Sequence, residues 1–207
     1  MPASTIHPEA RTPWIARGML VLCALGFLLQ QNVPERSWLP FALWPEPLFR
    51  WWQLITYGFL HSGMIHLVFN AIGIITFGFL LERVLGWLRF SVLYLVGLVS
   101  AALAQLIAAQ LAGDLYPTIG ASGAVLALLF AYAFLYPRAR ILLLIPPIPM
   151  PAWLFATLFA ALSVWLASSG KVDSVAHFAH LGGMVFGLLL LLYWRGQLPL
   201  KPEKTLY

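Results

Sequence analysis

The chain has few charged residues: Asp, Glu, Lys and Arg make up only 9% of its 207 residues, whereas 61% are hydrophobic. A soluble domain carries about 25% charged residues, so this chain cannot cover itself with a water-compatible surface. Cysteine is also scarce, and the single Cys23 excludes an intrachain disulfide. These shortages exclude a soluble enzyme and favour an integral membrane protein.

Long hydrophobic stretches are what the sequence has instead. A helix needs roughly 20 apolar residues to cross the hydrocarbon core of a bilayer. Six such stretches cover about residues 15–33, 64–81, 90–112, 119–136, 151–169 and 177–194. The segments between them are too short for a separate soluble domain. We therefore predict an all-α membrane protein, a bundle of six transmembrane helices that forms one domain over residues 1–207.

The basic residues are distributed unevenly between the two sides of these spans. Cytoplasmic segments of membrane proteins carry an excess of Lys and Arg. Three basic residues, Arg36, Arg50 and Lys171, fall in segments on the side opposite the N-terminus. The other nine fall on the N-terminal side: Arg11, Arg17, Arg83, Arg89, Arg138, Arg140, Arg195, Lys201 and Lys204. We therefore predict that both termini are short cytoplasmic tails. The net charge of +5 fits anchoring in a lipid bilayer and indicates no nucleic-acid partner.

The segment from about residue 33 to residue 61, on the predicted outer side, is too long for a simple connection between spans. It contains four tryptophans: Trp38, Trp44, Trp51 and Trp52. Tryptophan favours the headgroup region of a bilayer. We therefore expect this first outer loop to lie half-submerged in the membrane surface.

Polar side chains cluster near the outer ends of the second, fourth and sixth predicted spans. They are His61, His66, Asn70, Ser122, His177 and His180. At 1.5 Å rise per residue, all of them lie roughly 5–10 Å below the outer surface. Ionisable side chains inside a membrane are costly and usually have a function. The shared depth therefore predicts a water-accessible cavity that opens outward.

Ser122 and His180 are the residues from which we expect catalysis. Serine is a poor nucleophile unless an adjacent base takes its proton, and His180 is the candidate base. Gly183 and Gly187 form a GxxxG pair just beyond His180, and such pairs let two helices approach closely. Packing of the sixth span on the fourth would bring His180 within hydrogen-bond reach of Ser122.

Three groups are suited to stabilising an oxyanion formed during acyl transfer. His66 and Asn70, spaced i,i+4, lie on one helix face, and both side chains can donate hydrogen bonds. The amide of Ser122 lies near a helix N-terminus, where backbone N–H groups are unpaired. One such donor is worth about 10²–10³ in rate.

A catalytic triad would need a carboxylate behind His180, and the sequence offers none at that depth. Glu82 lies at the inner end of the second span, and Asp114 and Asp173 fall in loops. We therefore expect a Ser–His dyad whose imidazole is held by packing and by hydrogen bonds to non-acidic groups.

Three motifs in separate spans carry a resemblance to a known family. They are HSGMIHLVFN at residues 61–70, GASG at residues 120–123 and AHLGGMVFG at residues 179–187. With these motifs the chain resembles the rhomboid intramembrane serine proteases in their compact six-span bacterial form. The resemblance covers a core of about residues 49–187.

The resemblance implies an endopeptidase with Ser122 as nucleophile and His180 as general base, and with no cofactor or metal. It also implies an oxyanion hole formed by His66, Asn70 and the Ser122 amide. The implied substrates are transmembrane helices of other membrane proteins, cut near their outer ends. The implied location is the bacterial inner membrane, with the active site open to the outer face.

Four further positions are interpreted through the resemblance. His61 would line the cavity near its water supply, and His177, one turn above His180, would join the same polar network. Gln53 follows Trp52 where many members have Arg, a change expected to alter loop anchoring more than chemistry. Leu126 stands where some members place an aromatic residue against the catalytic histidine.

Two alternatives stay open. The first is a non-catalytic rhomboid-like protein that binds membrane helices, although such a protein is expected to have lost Ser122 or His180. The second is a metal site or a transporter built on the four histidines of the outer cavity, since imidazoles are common zinc ligands.

Overall fold

The computed structural model describes residues 12–142, 148–169, 174–203 and 205–206. Its α-helices are α1 (Trp14–Asn32), α2 (Glu35–Trp38), α3 (Gln53–Thr56), α4 (Met64–Gly73), α5 (Phe79–Leu85), α6 (Trp87–Ala112), α7 (Ser122–Leu135), α8 (Ala152–Ser169) and α9 (Ser174–Trp194). A π-helical segment, Ile74–Gly78, joins α4 to α5, so the two form one continuous rod over Met64–Leu85. Helices therefore form in all six hydrophobic stretches.

The helices differ in how well they match a membrane span. Within the described residues, four are long and apolar enough to cross a bilayer: Trp14–Asn32, Met64–Leu85, Trp87–Ala112 and His177–Trp194. Ser122–Leu135 is apolar but shorter, and the Ala152–Leu166 part of α8 is also apolar. A helix of 14 residues, as in α7, rises about 21 Å, less than the hydrocarbon thickness of about 30 Å. Most of α7 is buried by its neighbours, so it needs little direct match to lipid.

Successive long helices run in alternating directions between two ends of the bundle. We call one end of the bundle the basic end. There the backbone N–H of Leu206 donates to the carbonyl of Trp194 at the end of α9 (2.8 Å). The first turn of α1 lies at the same end, beside Glu82 of α5. At the other end, the site end, Gln30 near the end of α1 accepts from the backbone N–H of His61 (2.8 Å). The described chain thus starts and finishes at the same end of the bundle.

Glu82 holds the first turn of α1 to α5. Its two carboxylate oxygens accept from the backbone N–H groups of Ile15 (3.0 Å) and Ala16 (2.7 Å). Glu82 is buried, and its negative charge faces the positive end of the α1 dipole. A carboxylate in this position satisfies two N–H groups that a helix start leaves unpaired.

We expect Glu82→Gln to lower the free energy of unfolding by about 1–3 kcal/mol, because a neutral amide supplies only one acceptor for two N–H groups. Denaturant unfolding in detergent micelles measures the effect. Glu35→Gln, at an exposed glutamate of α2, is the control and is expected to leave stability unchanged. Equal stability of the two variants would contradict this role of Glu82.

The all-helical prediction misses a short β-hairpin after α7. Strands β1 (Arg140–Leu142) and β2 (Pro149–Pro151) pair antiparallel, with Ile141 opposite Met150. Proline lacks a backbone N–H and breaks a helix interior, so the proline-containing strand β2 runs extended up to the start of α8. The hairpin base is fixed to α8 by the N–H of Ala152, which donates to the carbonyl of Ala139 (2.8 Å).

Small residues let α9 pack closely on α7. Gly183 lies against the backbone of Gly123, and Gly187 lies against Ala127, so a Cβ atom at either glycine would overlap the neighbouring helix. α9 also packs on α6, where Ser100 donates to the carbonyl of Gly182 (3.3 Å). This close approach places the N-terminal part of α9 beside the start of α7.

Gln53 anchors the first loop. It is buried, its Oε1 accepts from the backbone N–H groups of Trp44 (3.2 Å) and Arg50 (3.1 Å), and its Nε2 donates to the carbonyl of Pro40 (3.1 Å). The neutral amide of Gln53 thus anchors this loop through hydrogen bonds to the backbone of Trp44, Arg50 and Pro40. The same loop pairs with the segment before α7 through reciprocal backbone hydrogen bonds between Leu43 and Thr118 (2.9 Å).

Candidate active site

The hydroxyl of Ser122 and the imidazole of His180 are in direct contact. Ser122 is the first residue of α7, and His180 lies in α9. The distance from Ser122 Oγ to His180 Nε2 is 2.8 Å, which is within the usual range of a hydrogen bond. In the tautomer that leaves Nε2 unprotonated, the hydroxyl donates to the ring and the imidazole is placed to remove its proton.

Aromatic packing surrounds the His180 ring. Phe159 of α8 lies 6.4 Å from it, and His177 lies 6.1 Å from it, both measured between ring centroids. Among the described residues no carboxylate hydrogen bonds to His180. Leu126 lines the same cavity but supplies no ring. Of the two aromatic neighbours of His180, Phe159 thus comes from α8 and His177 from α9 itself.

The surroundings of His66 determine which of its ring nitrogens carries a proton. The backbone N–H of Ser62 points at His66 Nδ1 (3.4 Å), and the Ser62 hydroxyl lies 3.1 Å from the same atom. A backbone N–H can only donate, so Nδ1 acts as acceptor and the proton of the neutral ring resides on Nε2. His66 Nε2 is therefore a hydrogen-bond donor.

Asn70 lies one turn after His66 on the same face of α4. It is buried, and its Nδ2 donates one hydrogen to the carbonyl of His66 (2.9 Å). An amide nitrogen carries two hydrogens, so a second one is available to the cavity that Asn70 lines. The intrahelical bond fixes the orientation of the side chain.

Gly120 brings the chain before α7 close to His66. Its φ is +124°, a region that favours glycine. A Cβ atom there would lie 2.6 Å from His66 Cε1 and 2.7 Å from His66 Nε2. The backbone N–H of Gly120 also donates to the carbonyl of Tyr57 (2.9 Å), which fixes this turn to the first loop.

A cavity of about 430 Å³ joins these groups. His66, Asn70, Ser122 and His180 line its site end. Side chains of α4, of the π-helical segment Ile74–Gly78, of α7, of β1 and of α8 line the remainder, and most of them are apolar. A mostly apolar pocket with a few convergent polar groups is the usual form of a binding or active site.

His61 and His177 do not line this cavity. His61 is 2% exposed and lies behind His66, at a ring-centroid distance of 5.1 Å. Burial, together with the smaller effect of the neighbouring His66, lowers the pKa of His61 to about 4. His61 is thus a neutral, buried side chain. His177 is half-buried, with an enclosed Nδ1 that has no hydrogen-bond partner among the described residues.

The four histidines lie as two ring pairs, His61 with His66 and His177 with His180. Within the described residues, no three His, Cys, Asp or Glu side chains are arranged to hold a metal ion together.

Comparison with known proteins identifies the family. Residues 48–197 match the family model of the Rhomboid domain. The chain belongs to the Rhomboid family. The resemblance predicted from the three motifs is thereby confirmed, and with four helices able to span a bilayer this rhomboid is an integral membrane protein.

Relatives of this rhomboid come from bacteria and from mitochondria. It is 34% identical over 66% of its length to Rhomboid protein 1, mitochondrial, of Saccharomyces cerevisiae, of which the match covers 40%. It is 28% identical over 86% of its length to the rhomboid protease GlpG of Serratia proteamaculans, of which the match covers 61%. A match to the rhomboid protease GluP of Bacillus subtilis covers 25% of that protein. The chain thus spans between a quarter and three fifths of these relatives.

Several contacts of the rhomboid site were not predicted from its sequence. They involve Gln30, Ser62, Phe159 and the positive φ of Gly120. The GASG motif offered a signal for a close approach at Gly120, and the i,i+4 spacing of Ser62 and His66 offered one for their contact. Gln30 and Phe159 act between elements distant in the chain, and no local pattern marks them.

Proposed function

We propose that this rhomboid is an intramembrane serine endopeptidase that cuts transmembrane segments of other membrane proteins. The observation that carries the proposal is the 2.8 Å contact between Ser122 Oγ and His180 Nε2 inside an otherwise apolar bundle. Relatives named rhomboid proteases, GlpG and GluP among them, support the same chemistry at the level of the family.

In the first half of the reaction, His180 Nε2 removes the Ser122 proton as Oγ attacks the scissile carbonyl carbon. The carbonyl oxygen becomes an oxyanion, which accepts hydrogen bonds from the Ser122 amide, His66 Nε2–H and Asn70 Nδ2–H. The C–N bond then breaks, and the protonated His180 gives its proton to the leaving amine. The products of this half are an acyl–Ser122 ester and a free amine.

In the second half, a water molecule loses its proton to His180 and attacks the ester carbonyl. The same three donors stabilise the second oxyanion. When the C–Oγ bond breaks, His180 returns the proton to Ser122 Oγ, and the carboxylic acid product leaves. No carboxylate is needed to orient the ring, because Phe159 packs against it from α8.

The proposed substrate is a transmembrane helix that unwinds near its outer end. A regular helix hides its peptide bonds within its own hydrogen bonds, so local unwinding must precede attack by Ser122. The site end of the bundle then corresponds to the outer side, because most cations lie at the basic end and the positive-inside rule assigns that end to the cytoplasm. A bacterial plasma membrane is the proposed location.

Cleavage in reconstituted liposomes tests the proposal. The wild-type protein is mixed with a transmembrane substrate that has small, helix-destabilising residues near its outer end, and the products are mapped by mass spectrometry. We expect one cut within the outer part of the span. A protein that co-purifies with the substrate without cutting it would support the helix-binding alternative instead.

Chelation separates the serine mechanism from the metal alternative. We expect EDTA to leave the cleavage rate unchanged, because every step above uses side chains and backbone groups only. The rate is measured before and after chelation, and again after zinc is added. Loss of activity in EDTA that zinc restores would favour a histidine metal site.

Asn70→Ala is expected to lower kcat by roughly 10²-fold without abolishing cleavage, because it removes one oxyanion donor among three. The measurement is kcat and KM for the same substrate. Asn32→Ala is the control, since Asn32 donates to its own helix at Leu28 (2.7 Å) on the exposed surface of α1. An unchanged kcat in Asn70→Ala would remove Asn70 from the oxyanion hole.

A further inference from the structure

Two arginines lie at the junction of α1 and α5, at the basic end of the bundle. Arg17 is the fourth residue of α1, and its Cζ atom lies 5.5 Å from the ring centroid of Trp14 and 5.9 Å from that of Phe79 in α5. Phe79 and Arg83 are spaced i,i+4, so they share one face of α5. We call Arg17 and Arg83 the arginine pair. Neither residue lines the active-site cavity.

The carboxylate next to the arginine pair already has partners. Glu82 directly precedes Arg83, but its two oxygens accept from the backbone N–H groups of Ile15 (3.0 Å) and Ala16 (2.7 Å). Arg83 is half-buried, and its Nε is enclosed without a hydrogen-bond partner among the described residues. The arginine pair therefore presents at least one N–H donor for which the described part of the chain supplies no acceptor.

Arg83 differs in this respect from the other cations of the basic end. It is the only Lys or Arg in the described ranges whose side chain has an enclosed nitrogen without a hydrogen-bond partner. Arg195, by contrast, lies over the ring of Phe134 (5.2 Å) and is exposed. A solvated cation needs no fixed partner, whereas an enclosed N–H is unfavourable unless an acceptor reaches it. We therefore expect an acceptor beside Arg83.

Tryptophans indicate the depth of the arginine pair in the membrane. Trp14 begins α1 and Trp87 begins α6, and both side chains are exposed at the basic end. Exposed tryptophan favours the headgroup region of a bilayer. Arg17 lies three residues after Trp14, which is roughly 4.5 Å along the helix. The arginine pair is thus at headgroup level, in the leaflet that the proposed orientation assigns to the cytoplasm.

A phosphate group is the acceptor that suits this place. Guanidinium groups bind phosphate through paired, charge-assisted hydrogen bonds. Phospholipids carry a phosphodiester at this depth, and a net negative headgroup is attracted to arginines near the membrane surface. We propose that the arginine pair binds the phosphodiester of an anionic glycerophospholipid such as phosphatidylglycerol. The bound headgroup bridges α1 and α5, and its binding requires neither Ser122 nor His180.

Native mass spectrometry tests this site without any substrate. The wild-type protein in detergent is titrated with phosphatidylglycerol or with phosphatidylcholine, and the spectrum resolves lipid-bound from lipid-free protein, which gives a Kd for each lipid. We expect the wild type to prefer phosphatidylglycerol, and the Arg17→Gln/Arg83→Gln double variant to lower this preference roughly tenfold. Thermal unfolding in the same detergent shows whether the variant is folded.

Two further variants control for total charge and for the guanidinium group. Arg195→Gln/Lys201→Gln removes two other exposed cations of the basic end, one of which also lies over an aromatic ring, and is expected to keep the preference. Arg83→Lys keeps the positive charge but has no Nε–H, so we expect a preference between those of the wild type and the glutamine double variant. This variant also tests the site if the double variant does not fold.

Three results would overturn the proposal: equal binding of the two lipids by the wild type, equal losses in the two double variants, or an unchanged preference in Arg83→Lys. An excess of inorganic phosphate separates a lipid site from a site for a soluble anion. Displacement of phosphatidylglycerol by inorganic phosphate would assign the arginine pair to a soluble anion, whereas retention of the lipid supports the proposal. Because the readout is lipid binding, a failure here is separate from any failure of the proposed protease.

Discussion

Ser122→Ala and His180→Ala are each expected to lower the rate of transmembrane substrate cleavage by about 10⁴–10⁶-fold. The two residues act as one unit, so removing either side chain costs most of the catalysis that both provide. Without the hydroxyl no acyl ester forms, and without the imidazole the hydroxyl is not deprotonated. The double variant is expected to be no slower than either single variant. The assay is cleavage in liposomes with matched amounts of inserted protein.

Ser91→Ala is the control for this experiment. Ser91 is half-buried, and its hydroxyl donates to the carbonyl of Trp87 (2.8 Å) within α6. Its loss is expected to leave both insertion and cleavage at the wild-type level. Undiminished cleavage by Ser122→Ala, or by His180→Ala, would refute the dyad.

Gly120→Ala is expected to lower kcat by roughly 10²–10³-fold, the cost of losing one oxyanion donor. Two features of Gly120 support this expectation. Its φ of +124° disfavours alanine, and the added Cβ would lie 2.7 Å from His66 Nε2. Either His66 or the turn that carries the Ser122 amide must then move. The measurement is kcat and KM, together with thermal unfolding to show that the bundle is intact.

Gly63→Ala is the matched control, because Gly63 is a glycine in the same motif as His66, residues 61–70. Its φ of 172° is extended backbone, and no atom lies within 4 Å of the position of an added Cβ. We expect wild-type kcat in this variant. If Gly120→Ala and Gly63→Ala were equally active, the contact between Gly120 and His66 would have no part in catalysis.

Much of the helical fold could be predicted from the sequence, because apolar stretches of membrane length have few alternatives to a helix. The contact between Ser122 and His180 was expected for a related reason. Both lie near the same predicted depth, and the Gly183–Gly187 spacing indicates close packing of their helices. Depth and packing together leave little freedom for the separation of the two side chains.

The contacts that were not predicted depend on helices that are distant in the chain. Leu126 left open which group packs on His180, and Phe159 of α8 supplies the ring. The hydrogen bond from His61 to Gln30 likewise joins α1 to the segment before α4. The rotation of one helix about its axis relative to another is set by packing, so a single sequence does not reveal which faces meet.

The placement of His61 shows the same limit. Its motif suggested a side chain facing the cavity, whereas the loop before α4 turns the ring inward behind His66. Hydrogen bonding of its backbone to Gln30 fixes that loop. The residue type indicated a function, but its position relative to the cavity depended on a long-range contact.

Labelling of Ser122 by a fluorophosphonate probe tests the central claim most directly, because it reports nucleophile, base and folded site without any substrate. The probe reacts with an activated serine hydroxyl, and the labelled peptide is identified by mass spectrometry. We expect labelling of the wild type at Ser122 only, and none in His180→Ala that is still correctly inserted. Equal labelling of the wild type and His180→Ala, or a label on a serine other than Ser122, would contradict the account.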